Sequence, residues 1–149
     1  MVFKHLLVPP DFSENAAHAL RKAVQMARHG EAHLTLLHVG LLPHATTFDF
    51  PAYGVPLPEA MLEAHRQMTA ERKHVLERIA KEEIPEDVQW TPRLREGYPP
   101  EEILAELGAA PYDLLVMGTH GDTGIKHVLL GSVTERVLRT SPIPVLVVH

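Results

Sequence analysis

The chain has 149 residues, a formal net charge of −5 and no cysteine. This length suits one domain, expected over residues 1–149, and the 45% of apolar residues can supply its core. The acidic balance argues against a nucleic-acid partner, and the lack of cysteine excludes disulfides, thiolate catalysis and cysteine zinc sites. No apolar run approaches the roughly 20 residues that cross a bilayer, and the N-terminus lacks secretory-signal features. We therefore expect a cytoplasmic protein with no membrane partner.

The first 40 residues predict a strand, a helix and a second strand. The two strands are the largely apolar segments Val2–Val8 and His33–Val39. Ser13 is expected to cap the intervening helix, and Gly30 to end it. The apolar residues of this helix recur at steps of three and four: Ala16, Ala19, Leu20, Ala23, Val24 and Ala27. Such a crossover is what two parallel strands require.

The middle of the chain combines an irregular segment with a long predicted helix. Residues Gly40–Leu57 show no periodicity, which is typical of a lid or binding loop. Aromatic residues in this segment could cover a bound base or pack onto their own domain; they are Phe48, Phe50 and Tyr53. The helix is expected from about Pro58 until just before Pro85. Its predicted apolar face consists of Met61, Ala64, Met68, Val75 and Ile79.

The last third continues the alternation of strands and helices. The predicted strands are Val88–Arg95, Asp113–Met117 and Val145–Val148, and the predicted helices are Glu101–Leu107 and Ser132–Arg139. Residues Gly97–Pro100 are expected to form a turn. This alternation predicts an α/β protein with a parallel sheet and helices on both faces. Ligands of such sheets bind beyond the carboxyl ends of the strands, where the winding direction reverses.

A glycine-rich loop precedes the last predicted helix. Gly118, Gly121, Gly131 and Ser132 follow the spacing G-x₂-G-x₉-G-S, which is neither a P-loop nor the dinucleotide fingerprint. The free N–H groups of a helix N-terminus favour phosphate. We expect positive φ at Gly121, at Gly131 or at both, so that a ligand can approach the backbone closely.

In these motifs the sequence resembles the ATP-binding branch of the universal stress protein family. The resemblance covers nearly the whole chain, through LLVPPDFSENA, EGYPPEEIL, DLLVMGTHG, GSVTERVL and SPIPVLVV. It implies a three-layer, Rossmann-like open twisted sheet of five parallel strands in the order 3-2-1-4-5. It also implies ATP, with Mg²⁺ or Mn²⁺, held at the carboxyl ends of strands 1 and 4. A homodimer through Val145–Val148 is implied as well.

The resemblance assigns site residues by position. Pro9 and Pro10 would shape the loop after the first strand, Asp11 would lie near the adenosine, and Val39 would present backbone groups to adenine. The ribose and phosphates would be held by Met117, Gly118, Gly121, Gly131, Ser132, Val133 and Thr134. Proline at position 10 departs from the usual family residue and removes one backbone donor.

Several residues allow a second interpretation. The Ser132 hydroxyl could contact phosphate, or it could cap the helix, because Ser132 and Glu135 have capping-box spacing. Asp11 could bind the nucleoside or act only in a turn. His120 and His127 could approach phosphates or be plain loop residues, and the 11 histidines show no zinc-protease spacing. No catalytic residue and no protein metal site is assigned.

Three functions therefore remain open. The first is a nucleotide-dependent regulatory module of the stress response that binds ATP. The second is a slow ATPase or phosphotransferase that uses His120 or Asp11. The third is a protein-interaction module that carries no nucleotide.

Overall fold

The computed structural model of the chain describes residues 2–41, 58–119 and 130–149. Within these residues, five strands alternate with four helices. The strands are β1 (His5–Val8), β2 (His33–Gly40), β3 (Trp90–Glu96), β4 (Leu114–Gly118) and β5 (Val145–Val148). The helices are α1 (Glu14–Gly30), α2 (Glu59–Glu83), α3 (Pro99–Ala109) and α4 (Ser132–Thr140).

The five strands form one parallel sheet in the order β3-β2-β1-β4-β5. This order and the parallel pairing confirm the predicted fold class. The chain winds outward from β1 to β3 and then crosses back to β4 and β5. The winding direction therefore reverses between β1 and β4, which is where sheets of this class leave a crevice at the carboxyl ends of the strands.

Helices cover both faces of the sheet, because successive strand residues point to opposite sides. On one face, Leu6, Val8 and Leu36 pack with residues of α1 and α2 in one buried cluster. On the other face, Leu7 and Leu37 pack with residues of α3 and α4 in a second cluster. The two clusters give the three-layer architecture.

Helix α1 follows its prediction except at its C-terminal end. The Ser13 hydroxyl accepts a hydrogen bond from the Ala16 amide at 3.2 Å, as a helix cap does, and all six predicted apolar residues are buried. Gly30 was expected to end the helix but lies inside it. The left-handed residue that ends the helix is Glu31, with φ +51°. The helix therefore ends without the glycine that usually occupies this conformation.

The predicted apolar face of α2 is wrong for the first half of the helix. Met61, Ala64 and Met68 are exposed, whereas the buried residues of α2 are Leu76 and Ala80. A helix of 25 residues is roughly 38 Å long, well beyond the length of the strands it covers. Only its second half therefore packs against the core.

Among the described residues, every helix is too short or too polar to span a bilayer.

Helix α3 begins two residues earlier than predicted. Pro99 and Pro100 occupy its first two positions, where the missing N–H groups of proline cost nothing. They were expected to belong to a turn because proline usually breaks a helix. The turn itself is confined to Gly97, whose φ of +145° is compatible with glycine.

A buried carboxylate joins α3 to the edge strand β3. Glu106 is 5% exposed, and its two oxygens accept hydrogen bonds from Arg95 Nε and the Tyr112 hydroxyl, each at 2.8 Å. Burial alone would raise the pKa of Glu106. The hydrogen bonds from Arg95 and Tyr112 and the charges of Arg95 and Arg93 outweigh burial, so the pKa lies below its usual range.

Replacing Glu106 with glutamine is expected to lower the free energy of unfolding by about 2 kcal/mol at pH 7, because it removes the buried negative charge that pairs with Arg95 Nε and leaves Arg95 only its more exposed partner Glu102. Since the pKa of Glu106 is lowered in the folded state, its contribution is complete above the pKa of an unfolded glutamate. The contribution is lost as the pH falls through the lowered value. Urea unfolding at pH 7 and pH 4 measures both effects. Glu101→Gln, at an exposed position of the same helix, is the control, and equal losses in both variants would contradict the assignment.

Candidate functional site

A cleft of about 500 Å³ opens at the carboxyl ends of β1, β2 and β4, at the crossover point of the sheet. This volume lies within the usual range of small-molecule sites. The sequence-predicted residues that line it are Pro9, Pro10, Asp11, Val39, Met117, Gly118, Gly131, Ser132, Val133 and Thr134. Gly121 lies outside the described residues, as do the loop residues Phe48, Phe50, Tyr53, His120 and His127.

The end of β2 is paired with β3 on one side but has no strand beside it on the β1 side. Val8 of β1 is paired with Leu36, so β2 continues to Gly40 after its neighbour has ended. The amide of His33 donates to Lys4 on the β1 side and that of Leu34 to Gln89 on the β3 side. By this alternation the N–H and C=O of Val39 are directed to the side where β1 has ended. One donor and one acceptor thus face the cleft.

The loop after β1 is ordered by its own side chains. The backbone amide and hydroxyl of Ser13 both donate to Oδ1 of Asp11, as in an Asx-turn. Phe12 adopts φ +66°, an uncommon conformation for a residue other than glycine. Asp11 is thus a turn residue, and within the described part of the chain its second oxygen, Oδ2, has no hydrogen bond.

His38 belongs to the cleft although its strand position alone gave no reason to select it. Its ring stacks on Phe12 with a centroid separation of 4.3 Å, and Nδ1 lies 3.3 Å from the Pro10 carbonyl oxygen. Burial lowers the pKa of His38 and the charge of Arg72 lowers it further, against the opposing effects of the Pro10 carbonyl and Asp11. The ring therefore favours its neutral form and acts as a wall of the site.

Three helices begin at the cleft, and their N-termini differ in the donors they leave free. At α1, Ser13 accepts from Ala16, and the carboxylates of Asp11 and Glu14 lie at the N-terminus. At α3, the prolines at the first two positions supply no N–H, and the next two amides donate to the Tyr98 carbonyl.

Helix α4 is the one with free donors. Gly131 is its N-cap and no side chain caps it, and within residues 2–41, 58–119 and 130–149 the amides of Ser132, Val133 and Thr134 donate to no acceptor. The first-turn carboxylate of Glu135 is paired with Arg139 at 2.7 Å. Of these three N-termini, α4 is therefore the one suited to an anion.

The structure decides two points that the sequence left open at this helix. Positive φ was expected at Gly121, at Gly131 or at both, and Gly121 lies outside the described residues. Gly131 has φ −70° and ψ 154°, so it is extended backbone rather than a positive-φ glycine. Ser132 is the first helical residue, which places Glu135 one position too late for a capping box. The Ser132 hydroxyl therefore does not cap the helix. The Thr134 hydroxyl donates to the Gly118 carbonyl at 2.9 Å and so fixes α4 to the end of β4.

Arg72 of α2 also reaches the cleft, from a helix in which no site residue was predicted. Its Nη2 donates to the Leu41 carbonyl at 3.3 Å and its Nη1 to Glu96 Oε1 at 3.4 Å. A Cβ built on Gly40 would overlap the guanidinium, so this glycine leaves room for the arginine. The remaining lining residues, none of which was assigned a site role of its own from the sequence, are Ala16, Leu37, Leu41, Pro99 and Ile103.

The parallel sheet with a cleft at its switch point places the chain among the doubly wound, Rossmann-like α/β proteins. Residues 3–149 match the model of the universal stress protein family, and the chain belongs to that family.

Several members of the family are similar over nearly the whole chain. Universal stress protein YxiE of Bacillus subtilis is 33% identical, covering 99% of this chain and 100% of the relative. Universal stress protein MJ0577 of Methanocaldococcus jannaschii is 34% identical over 99% of this chain and 96% of the relative. Its structure superposes with a TM-score of 0.81. A universal stress protein solved in complex with cAMP is 26% identical, with a TM-score of 0.65 over 100% of this chain and 98% of that one.

Proposed function

We propose that residues 1–149 form one nucleotide-binding domain that holds ATP in this cleft and acts in the cytoplasm as a nucleotide-dependent regulatory module of the stress response. The observation that carries the proposal is the division of the cleft into two ends. The amides at the N-terminus of α4 suit the phosphates, and the backbone groups of Val39 on the β1 side suit the edge of a base; neither set has a hydrogen-bond partner among the described residues. The related protein solved with cAMP supports a nucleotide as the ligand.

The phosphates themselves would carry the divalent cation. Among the described residues that line the cleft, Asp11 is the one carboxylate, and Ser13 already occupies one of its oxygens. Mg²⁺ commonly binds through one or two carboxylates together with substrate phosphates. Mg²⁺ or Mn²⁺ would therefore enter with ATP, and the protein would hold the complex mainly through the backbone amides of α4.

Replacing Asp11 with alanine is expected to weaken ATP binding about five- to tenfold, because Oδ2 of Asp11 can accept a hydrogen bond from the ribose or the adenine amine. Inorganic tripolyphosphate should bind as it does to the wild type, since a carboxylate does not attract phosphate. Calorimetric titration of both ligands measures the difference. Equal losses for the two ligands would show that Asp11 does not contact the nucleoside.

We also propose a homodimer through β5. Val145, Leu146, Val147 and Val148 are half-buried at the edge of the sheet. Leu115 donates to the Pro144 carbonyl and Thr119 to the Val148 carbonyl, so even-numbered residues pair with β4 and odd-numbered residues direct their backbone groups outward. An apolar open edge is the kind of surface that pairs with a second copy.

Val147→Pro removes one outward N–H and leaves the pairing with β4 intact. The variant is expected to be a folded monomer, because the lost donor and the proline ring both block pairing of two edges. Size-exclusion chromatography with light scattering measures the mass, and circular dichroism checks the fold. An unchanged dimer would place the interface elsewhere.

A further inference from the structure

Arg72 is held rigidly at the α2 side of the cleft. Its side chain is 19% exposed, and Glu96 at the end of β3 anchors its Nη1. Glu96 is itself fixed by α2, since His65 Nε2 lies 3.2 Å from Oε2 and Thr69 Oγ1 lies 3.3 Å from Oε1. The guanidinium is therefore oriented before any ligand is present.

Among the described residues, most of the hydrogen-bonding capacity of this guanidinium has no partner. An arginine has five N–H donors. Within the described residues, Arg72 commits one to Glu96 and one to the Leu41 carbonyl. Three donors thus remain on a side chain that lines the cleft. The guanidinium occupies the space that a side chain on Gly40 would fill, and this brings it to the cleft. The ion pair with Glu96 alone would not require that position.

The position of Arg72 decides which end of a ligand it can reach. The free amides of α4 follow β4, whereas Gly40 ends β2, and β1 lies between these two strands. Two strand spacings separate them by roughly 10 Å along the sheet. Helices α2 and α4 also pack on opposite faces of the sheet. A group bound by the α4 amides therefore lies far from the guanidinium.

We propose that Arg72 is a specificity-determining residue that donates hydrogen bonds to an acceptor on the base or ribose of the bound nucleotide. This inference rests on the proposed nucleotide function and deepens it. Ring nitrogens of a purine and ribose oxygens are acceptors of the required kind, and the anchored fork makes the contact directional. Glu96 is a positioning residue that acts through Arg72.

The test is calorimetric titration of the full chain with ATP, adenosine and inorganic tripolyphosphate. Arg72→Met keeps the apolar stem and removes the donors. Gly40→Ala keeps Arg72 but displaces its guanidinium with a methyl group. Both variants are expected to bind ATP and adenosine about tenfold or more weakly than the wild type does. Their affinity for tripolyphosphate should stay within about twofold of the wild-type affinity. Circular dichroism confirms that each variant is folded.

Arg66→Met is the matched control on the same helix. Arg66 is 71% exposed and pairs only with Glu63 among the described residues, so this variant should bind all three ligands as the wild type does. Suppose that the wild type binds ATP and that the two cleft variants bind ATP and adenosine as tightly as the wild type does. This result would overturn the inference about Arg72 and leave the proposed function standing. An equal loss for tripolyphosphate would also overturn this inference, by placing Arg72 at the phosphates. A wild type that binds none of the three ligands would overturn the proposed function and this inference together.

Discussion

Replacing Gly118 with alanine is expected to lower the free energy of unfolding by about 2–3 kcal/mol. A Cβ at this position would lie 2.9 Å from the backbone carbon and oxygen of Asn15, and 3.1 Å from the Ala16 amide nitrogen. These atoms belong to the first turn of α1 and cannot rotate away as a side chain could. Gly118 thus allows α1 to pack directly on the end of β4, and valine should cost more than alanine.

Gly108→Ala is the matched control for this effect. Gly108 lies near the end of α3, and a Cβ there would meet no atom within 4 Å. Alanine is the better helix former by about 0.5–1 kcal/mol, so this variant should be slightly more stable than the wild type. Chemical denaturation of the two variants compares the same substitution in opposite environments. Wild-type stability in Gly118→Ala would show that α1 can move away at little cost.

Replacing Ser132 with proline is expected to weaken both ATP and inorganic tripolyphosphate about tenfold to a hundredfold. Ser132 is the first residue of α4, where proline fits the helix and removes only an N–H. Gly131 already has the extended backbone that a residue before proline requires. The substitution therefore removes one amide donor from the proposed phosphate site while leaving the helix in place.

Ser132→Ala separates the amide from the hydroxyl. It keeps the N–H and should bind ATP within about threefold of the wild type if backbone amides supply most of the affinity. Calorimetry on both variants gives the comparison, and circular dichroism reports helix content. Wild-type affinity in a folded Ser132→Pro protein would remove the N-terminus of α4 as the phosphate site.

The elements of the fold that sequence reasoning predicted best are those with a repeated local signal. Helix α1 combines apolar residues at helical spacing with a serine cap, and both features occur in the structure. Helix α2 was harder, because its apolar residues continue past the end of the sheet. Periodicity tells which residues share a helix face, but it does not tell where the surface opposite that face ends.

The candidate site was predictable where its residues lie at or just after the carboxyl ends of strands. Asp11 follows β1, Val39 is the second-last residue of β2, and Gly118 ends β4, so the topology alone brings them to one edge. Arg72 approaches the same edge from the middle of a helix, through tertiary packing that no local motif records. The sequence feature related to Arg72 is the glycine at position 40. That this glycine makes room for the guanidinium is seen only in the structure.

Ser132 shows how a local motif can mislead. The Ser-x-x-Glu spacing predicts a capping box, but it serves only if serine occupies the cap position. In the structure Gly131 holds that position, and its amide donates to the Thr119 carbonyl. Because α4 begins at Ser132 and not one residue later, the Ser132 hydroxyl does not cap the helix. Its backbone amide lies instead in the first turn, where it can donate to a ligand.

The loop after β1 has a consequence for the energetics of binding. Pro9 and Pro10 have fixed φ angles, Ser13 holds Asp11, and the Phe12 ring rests on His38. A flexible loop would lose backbone entropy when a ligand arrives, at a cost of about 1–2 kcal/mol for each residue that becomes fixed. In this chain that ordering is complete once the domain has folded. This wall of the cleft is thus preorganised, and the contacts a ligand makes there contribute to affinity with little loss to conformational ordering.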